Sequence, residues 1–208
     1  MEINNHRIIR DFISDNEVKS ILDWIDEITH VQKADNHHII ELGKKLNGNS
    51  HMFNISKNEL TDYVTNFQSG NDVLNTELPE VINNLIDRIS LFVGLPKENV
   101  FLQAVDMHSG GTIRPHYDIS VEGYINYKCN ISVFAEDYNF NIDKEVISIK
   151  QKDMYCFEAS LYKHWTEKEF TSRRVLLSFG FLIPYLLLNR DDNDPRVRLS
   201  RRINKYFQ

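Results

Sequence analysis

The spacing of apolar residues changes character near residue 100 of this chain. Upstream it has the period of a helix. Val18, Ile21, Leu22, Ile25 and Ile28 follow the i, i+3, i+4, i+7 rule that lines up one buried helix face. Ser14-Asp15-Asn16-Glu17 has the form of a capping box, in which a serine and a glutamate three positions on satisfy each other's backbone N–H groups. A short strand is expected over 8–13. A second helix carries Val81, Ile82, Leu85, Ile86, Ile89, Phe92 and Val93 on one face, with Pro79 near its start and Gly94 and Pro96 closing it. Downstream, strands are expected over 101–105, 123–135, 145–150, 154–157 and 174–183. Gly110-Gly111 and the stretch 137–143 read as turns between them. Residues 33–75, rich in Asn, Lys, Gly and His, follow neither period and read as a long surface connection, a kind of segment that is often functional.

Helices first and strands later point to helices packed outside a β-sandwich or jelly-roll barrel. No internal repeat and no linker interrupts the chain. The expected organisation is one domain over 1–208, with a helical part at about 14–94, a β core at about 100–184 and a basic tail at 189–208. In the tail Val197, Leu199, Ile203 and Phe207 lie among arginines, as in a short amphipathic helix packed on the body. A subunit contact, such as a dimer, or a polyanionic partner are the alternatives for it; the oligomeric state is not legible.

Composition narrows the class. The 208 residues are 41% hydrophobic, enough for one domain with a real core. The net charge is -6, and the tail's six Lys/Arg against three Asp leave residues 1–188 at -9. Such a body argues against nucleic acid, because a phosphate backbone needs clustered cations. Cys129 and Cys156 sit in apolar runs and read as buried free thiols rather than a secreted disulfide framework. The N-terminus is polar, with no signal-peptide pattern, and no apolar run reaches membrane-spanning length. The expected location is the cytoplasm.

The candidate chemistry lies in the β part. His116-Tyr117-Asp118 is followed 46 residues after Asp118 by His164, and ten residues later by Arg174 at the head of Val175-Leu176-Leu177-Ser178-Phe179-Gly180. Residues one apart on a strand share a face, so His116 and Asp118 can reach one metal. Two imidazoles and a carboxylate fill one face of an octahedron, leave three positions open and suit Fe(II). Arg173 and Arg174 compete for the inward position. Arg174 is preferred, since Ser178 then falls on its face and its planar fork can grip a carboxylate. His37, His38 and His51 fall in the irregular stretch and read as solvated loop residues.

The ordered constellation, from Phe101 to Pro184, resembles the Fe(II)/2-oxoglutarate-dependent oxygenases, in particular their prolyl-hydroxylase-like and AlkB-like branches. The resemblance rests on the Gly110-Gly111 turn before H-x-D and on the order H, ten residues, R-x-x-x-S-F. It implies a double-stranded β-helix (jelly roll, cupin-like). It also implies Fe(II) held by His116, Asp118 and His164, with 2-oxoglutarate as co-substrate on Arg174 and dioxygen as oxidant. The chain has Leu176 where relatives carry a serine two residues after the arginine, and no tyrosine stands at an obvious co-substrate position before H-x-D; Gln103 or Asn130 could give the second hydrogen bond. Asp118 fills the position that related halogenases leave to glycine or alanine, so hydroxylation or a related oxidation is expected rather than halogenation. A small molecule such as an amino acid or natural-product intermediate is the first substrate choice. A peptide or protein side chain is second and AlkB-like nucleic-acid demethylation third. A metal-binding cupin module without enzymatic activity is the alternative class.

Overall fold

The structure, a computed structural model, describes residues 6–35, 50–55, 78–97, 100–107, 109, 113–118, 120, 123–167 and 170–184, with backbone alone for 28–35 and 50–55. In chain order the elements are β1 (His6–Ile9), α1 (Asp15–Asp35), β2 (Ser50–Ile55), α2 (Glu80–Val93), β3 (Val100–Met107), β4 (Tyr124–Phe134), β5 (Tyr138–Ile142), β6 (Glu145–Ile149), β7 (Met154–Glu158), β8 (His164–Thr166) and β9 (Arg174–Pro184). Strands order as β1-β7-β4-β9-β3-β2 in a large sheet and β6-β5-β8 in a small one, and every pairing is antiparallel. The architecture is the expected jelly roll with helices outside it.

The helices form for the reasons their sequences carry. Glu17 Oε2 accepts from the Ser14 backbone N–H at 2.7 Å, and Ser14 Oγ accepts from the Glu17 N–H at 3.3 Å, closing the capping box. In α2 the residues Ile82, Leu85, Ile86, Ile89 and Val93 are buried, and Gly94 ends the helix at φ 75°, a left-handed position that suits a residue without Cβ.

Three expectations need correction. The first strand stops at Ile9, because Asp11 turns the chain at φ 48°; Ile13 joins the core instead. The stretch 33–75 is not wholly irregular: α1 runs to Asp35, and β2 pairs with β3, setting His51 opposite Asp106. The rest of it, with His37 and His38, lies outside the described residues, as do Gly110-Gly111 and the tail at 189–208. Finally, 137–143 is mostly β5, and the turn shrinks to Asp143 and Lys144. Asn139 and Asn141 resemble turn formers, but they alternate with Tyr138, Phe140 and Ile142, which face inward as a strand requires.

Register assigns each sheet face a different task. On the outer face of the large sheet lie Cys129 and Ile131 of β4, Leu177 and Phe179 of β9, and Ala104 of β3, all buried in the apolar core. Cys129 and Cys156 oppose each other there as free buried thiols. The inner face carries Tyr155, Lys128, Asn130, Arg174, Ser178 and Gln103. The small sheet covers it: Phe140 of β5 meets the rings of Tyr155 and Phe157 at 4.9 and 5.4 Å, and His164 of β8 meets Phe157 at 4.8 Å. The two sheets thus enclose a polar interior, which is where the candidate chemistry falls.

Candidate functional site

His116, Asp118 and His164 converge at one end of this interior, their ligand atoms all within 4.8 Å of one another. His116 does not sit on a regular strand, as the sequence pattern predicts. It forms a lone bridge with His164: the His116 N–H donates to the His164 carbonyl at 3.2 Å and the His164 N–H to the His116 carbonyl at 2.9 Å. Asp118 is set by its own N–H, which donates to the Ala159 carbonyl at 2.9 Å. The i, i+2 spacing still directs both side chains the same way.

Each imidazole is oriented by its own chain. His116 Nδ1 lies 2.7 Å from the Arg114 carbonyl, and His164 Nδ1 lies 3.0 Å from the Tyr162 carbonyl. A carbonyl only accepts, so Nδ1 carries the proton and Nε2 keeps its lone pair. Both Nε2 atoms face one oxygen, Asp118 Oδ1, at 3.3 and 3.7 Å. The other oxygen, Oδ2, is paired with Lys128 Nζ at 2.9 Å. Burial would raise the Asp118 carboxyl, but Lys128 and the two histidines outweigh it and hold the group well below the usual carboxylate range. Burial pushes His164 down to about 4, against the pull of Asp118, so it is a neutral donor at ordinary pH. His116, at the rim with its side chain 44% exposed, is raised because the Asp118 bond outweighs desolvation.

Across the interior lies Arg174, fully buried on the inner face. Its Nη2 donates to the hydroxyls of Tyr138 and Tyr155 at 3.2 and 3.3 Å, and its guanidinium stands 4.9 and 5.0 Å from the Tyr138 and Phe170 ring centroids. Burial and the neighbouring Tyr138 push the Tyr155 hydroxyl well above its ordinary range, so it stays neutral. Nε and Nη1 of Arg174 have no hydrogen-bond partner among the described residues, and no ion pair there includes it. Asn130 Oδ1 and Ser178 Oγ, directly opposite each other on β4 and β9, are likewise buried without a partner in that set.

Of the two residues considered for a second co-substrate hydrogen bond, Gln103 accepts from Lys128 Nζ at 2.7 Å, on an interior strand rather than an edge. Asn130 lies in the Arg174 neighbourhood, opposite Tyr155. Three residues escaped the sequence reading. Tyr138 and Tyr155 follow H-x-D rather than precede it, and Lys128 lies inside the strand expected over 123–135 with nothing local to mark it. A tyrosine at an inward position of each of two β stretches was the available signal.

No family model matches the sequence, and no curated protein does. Solved structures do. A viral collagen prolyl hydroxylase from Paramecium bursaria Chlorella virus-1, in complex with 2OG, matches at TM-score 0.55 and 13% identity over 86% of this chain and 97% of its own. A prolyl-4-hydroxylase from Pseudomonas putida matches at 0.56 and 9%, over 86% and 92%. HygX from Streptomyces hygroscopicus, with nickel, 2-oxoglutarate and hygromycin B bound, matches at 0.53 and 10%, over 87% and 84%. The chain shares their fold. At such identity the likeness speaks for architecture, and the chemistry has to be argued from the residues above. Among the described residues no helix is long and apolar enough to cross a membrane.

Proposed function

We propose that this chain is an Fe(II)- and 2-oxoglutarate-dependent dioxygenase that oxidises a small molecule, such as an amino acid or natural-product intermediate. The observation that carries the reading is Arg174. A fully buried guanidinium with two nitrogens that have no partner among the described residues is costly unless an anion arrives. It lies in the same interior as two imidazoles and a carboxylate whose ligand atoms are all within 4.8 Å of one another. A dicarboxylate that binds the metal through its oxoacid end and Arg174 through its far carboxylate satisfies both ends at once.

In that reading His116, Asp118 and His164 hold Fe(II). Bound iron, with 2-oxoglutarate and dioxygen, supplies the oxidising chemistry, in which the oxoacid leaves as succinate and carbon dioxide. The chain's residues do the rest. Arg174 grips the far carboxylate as a two-pronged donor, and the hydroxyls of Tyr138 and Tyr155 and the Asn130 amide complete the cradle. Phe140, Phe157 and Phe170 line the interior and exclude water from the reacting centre. Nickel and 2-oxoglutarate in HygX, and 2OG in the viral prolyl hydroxylase, support this use of the fold. HygX, bound to hygromycin B, favours a small-molecule substrate. The two prolyl hydroxylases favour the second reading, a peptide side chain.

The test is succinate formation and oxygen uptake by the Fe(II)-loaded protein with a panel of amino acids, natural products, peptides and alkylated oligonucleotides. Substrate-stimulated turnover of 2-oxoglutarate is expected with one class. His116→Ala, Asp118→Ala and His164→Ala should each abolish it, together with anaerobic Co(II) binding, while the fold survives. Metal binding without 2-oxoglutarate affinity would point to a cupin-type module instead.

A further inference from the structure

Lys128 is a buried lysine, its side chain 8% exposed, with no part in the reading above. It reaches its place by register. On β4 it lies opposite Gly180 of β9, and Gly180 also lies opposite Phe101 of β3. The Phe101 ring occupies the space a side chain at Gly180 would need, since a Cβ there would come within 2.0 Å of it. The Lys128 ammonium stands 5.7 Å from the centroid of that ring. It donates to Gln103 Oε1 at 2.7 Å and pairs with Asp118 Oδ2 at 2.9 Å. The two oxygens of one carboxylate are thereby separated in use: Oδ1 faces both imidazoles and Oδ2 is held by the ammonium.

Resting on the proposed metal site, we infer that Lys128 is a positioning residue that keeps Asp118 a one-oxygen ligand. A carboxylate free to turn can offer a divalent cation both oxygens. Two imidazoles and a two-oxygen carboxylate would fill four of six octahedral positions. A chelating 2-oxoglutarate would take the remaining two and leave none for dioxygen. Oδ2 is ion-paired with Lys128, and Lys128 donates to Gln103, so turning the carboxylate would break that ion pair; while the pair holds, three positions stay open. The arrangement has a cost of opposite sign to the usual outer partner. A neutral hydrogen-bond partner of a ligand strengthens metal binding, and its loss weakens binding about 10–100-fold. A fixed ammonium beside the ligand repels the incoming cation. Lys128 therefore trades metal affinity for an open position.

The trade gives a signature that a structural role does not share. Lys128→Met, Lys128→Gln and Lys128→Arg are compared with the parent by anaerobic Co(II) titration and by nitric oxide, a dioxygen surrogate, added to the Fe(II)-loaded protein. In Lys128→Met, or in Lys128→Gln if the methionine variant misfolds, Co(II) should bind about tenfold more tightly than in the parent. Its visible absorption should change as the carboxylate takes a second position. Nitric oxide should bind the parent with 2-oxoglutarate present, and should bind these variants only without it. Lys128→Arg keeps a cation on Oδ2 and should restore the parent behaviour. Weaker Co(II) binding in the neutral variants, with nitric oxide binding unchanged, overturns the proposal and leaves Lys128 a structural residue. A parent whose Co(II) binding survives His164→Ala overturns the metal site itself, and the proposal with it.

Discussion

Arg173 and Arg174 are consecutive in the chain and opposite in circumstance. Arg173 points to the outer face. Its Nε and Nη2 donate to both oxygens of Asp106 at 2.8 and 3.0 Å, and Nη2 reaches Asp26 of α1 at 2.5 Å. It fastens the helix to the sheet, and its charge is balanced on the spot. Arg174 points to the inner face, where neutral hydroxyls and aromatic rings are the contacts it has among the described residues. One residue type in one strand thus separates a charge paired with carboxylates from a charge that has no ion pair among the described residues. The middle of the sheet divides in the same way: Cys129, Ile131, Leu177 and Phe179 pack outside, while Asn130 and Ser178 inside have polar atoms without a partner among the described residues.

The sharpest way to break this comparison is to remove each arginine in turn. Arg174→Ala should weaken 2-oxoglutarate binding by roughly two to four orders of magnitude, since losing one partner of a buried charge pair costs about 3–5 kcal/mol. The apo protein should lose no stability, because a buried charge with no ion pair among the described residues goes with it. Arg174→Lys should recover binding in part, as an ammonium lacks the planar fork. Arg173→Ala should leave 2-oxoglutarate binding intact and lower stability by about 3 kcal/mol, because the buried Asp106 loses its counter-ion. Calorimetric titration with saturating metal and urea melts of the apo proteins read both effects. A co-substrate defect in Arg173→Ala with none in Arg174→Ala would reverse the assignment of faces.

A second prediction concerns protonation at the inner face. The unfolded chain protonates His164 near 6.5, whereas the folded chain does so at about 4. The folded state thus binds fewer protons in between. Stability is full above 6.5 and falls by about 3 kcal/mol as pH drops from 6.5 to 4. His116, raised by Asp118, acts in the neighbouring window: its stabilisation is present below 6.5 and lost as pH rises through its folded value. Urea midpoints of the metal-free protein across this range should show the acid-side slope. His164→Leu should flatten it, and an unchanged slope would show that the imidazole is not buried as described.

The smallest effect is steric. Gly180→Ala places a methyl group against the Phe101 ring, an overpacking worth about 1–3 kcal/mol. The thermal melt of that variant reads it, and an undiminished midpoint would mean that the ring has room to move.

How legible all this was depends on how local the signal is. The capping box at Ser14 and Glu17, the stripe of α2 and the glycine that ends it are written in a few adjacent residues, and they appear where the sequence puts them. The inward direction of Arg174 followed from strand alternation with Ser178. Strand β5 was missed because two asparagines outweighed three inward apolar or aromatic residues in a short run. Strand β2 had too weak a period to be seen, and its evidence is its pairing with β3. Tyr138, Tyr155 and Lys128 were missed for a deeper reason. Their neighbours are 36, 19 and 10 residues away in the chain, at Arg174 and Asp118, and strand register alone brings them together.

The reciprocal backbone bridge between His116 and His164 gives the site a socket-like construction. The two prongs are mounted on main chain that bonds to itself, and each ring is steadied by the carbonyl two residues before it in the chain. The backbone part of that mounting does not depend on what the prongs are. Other donor side chains can be exchanged at 116, 118 and 164 without rebuilding the frame, so the position invites redesign: a scaffold on which coordination chemistry can be rewritten one donor at a time.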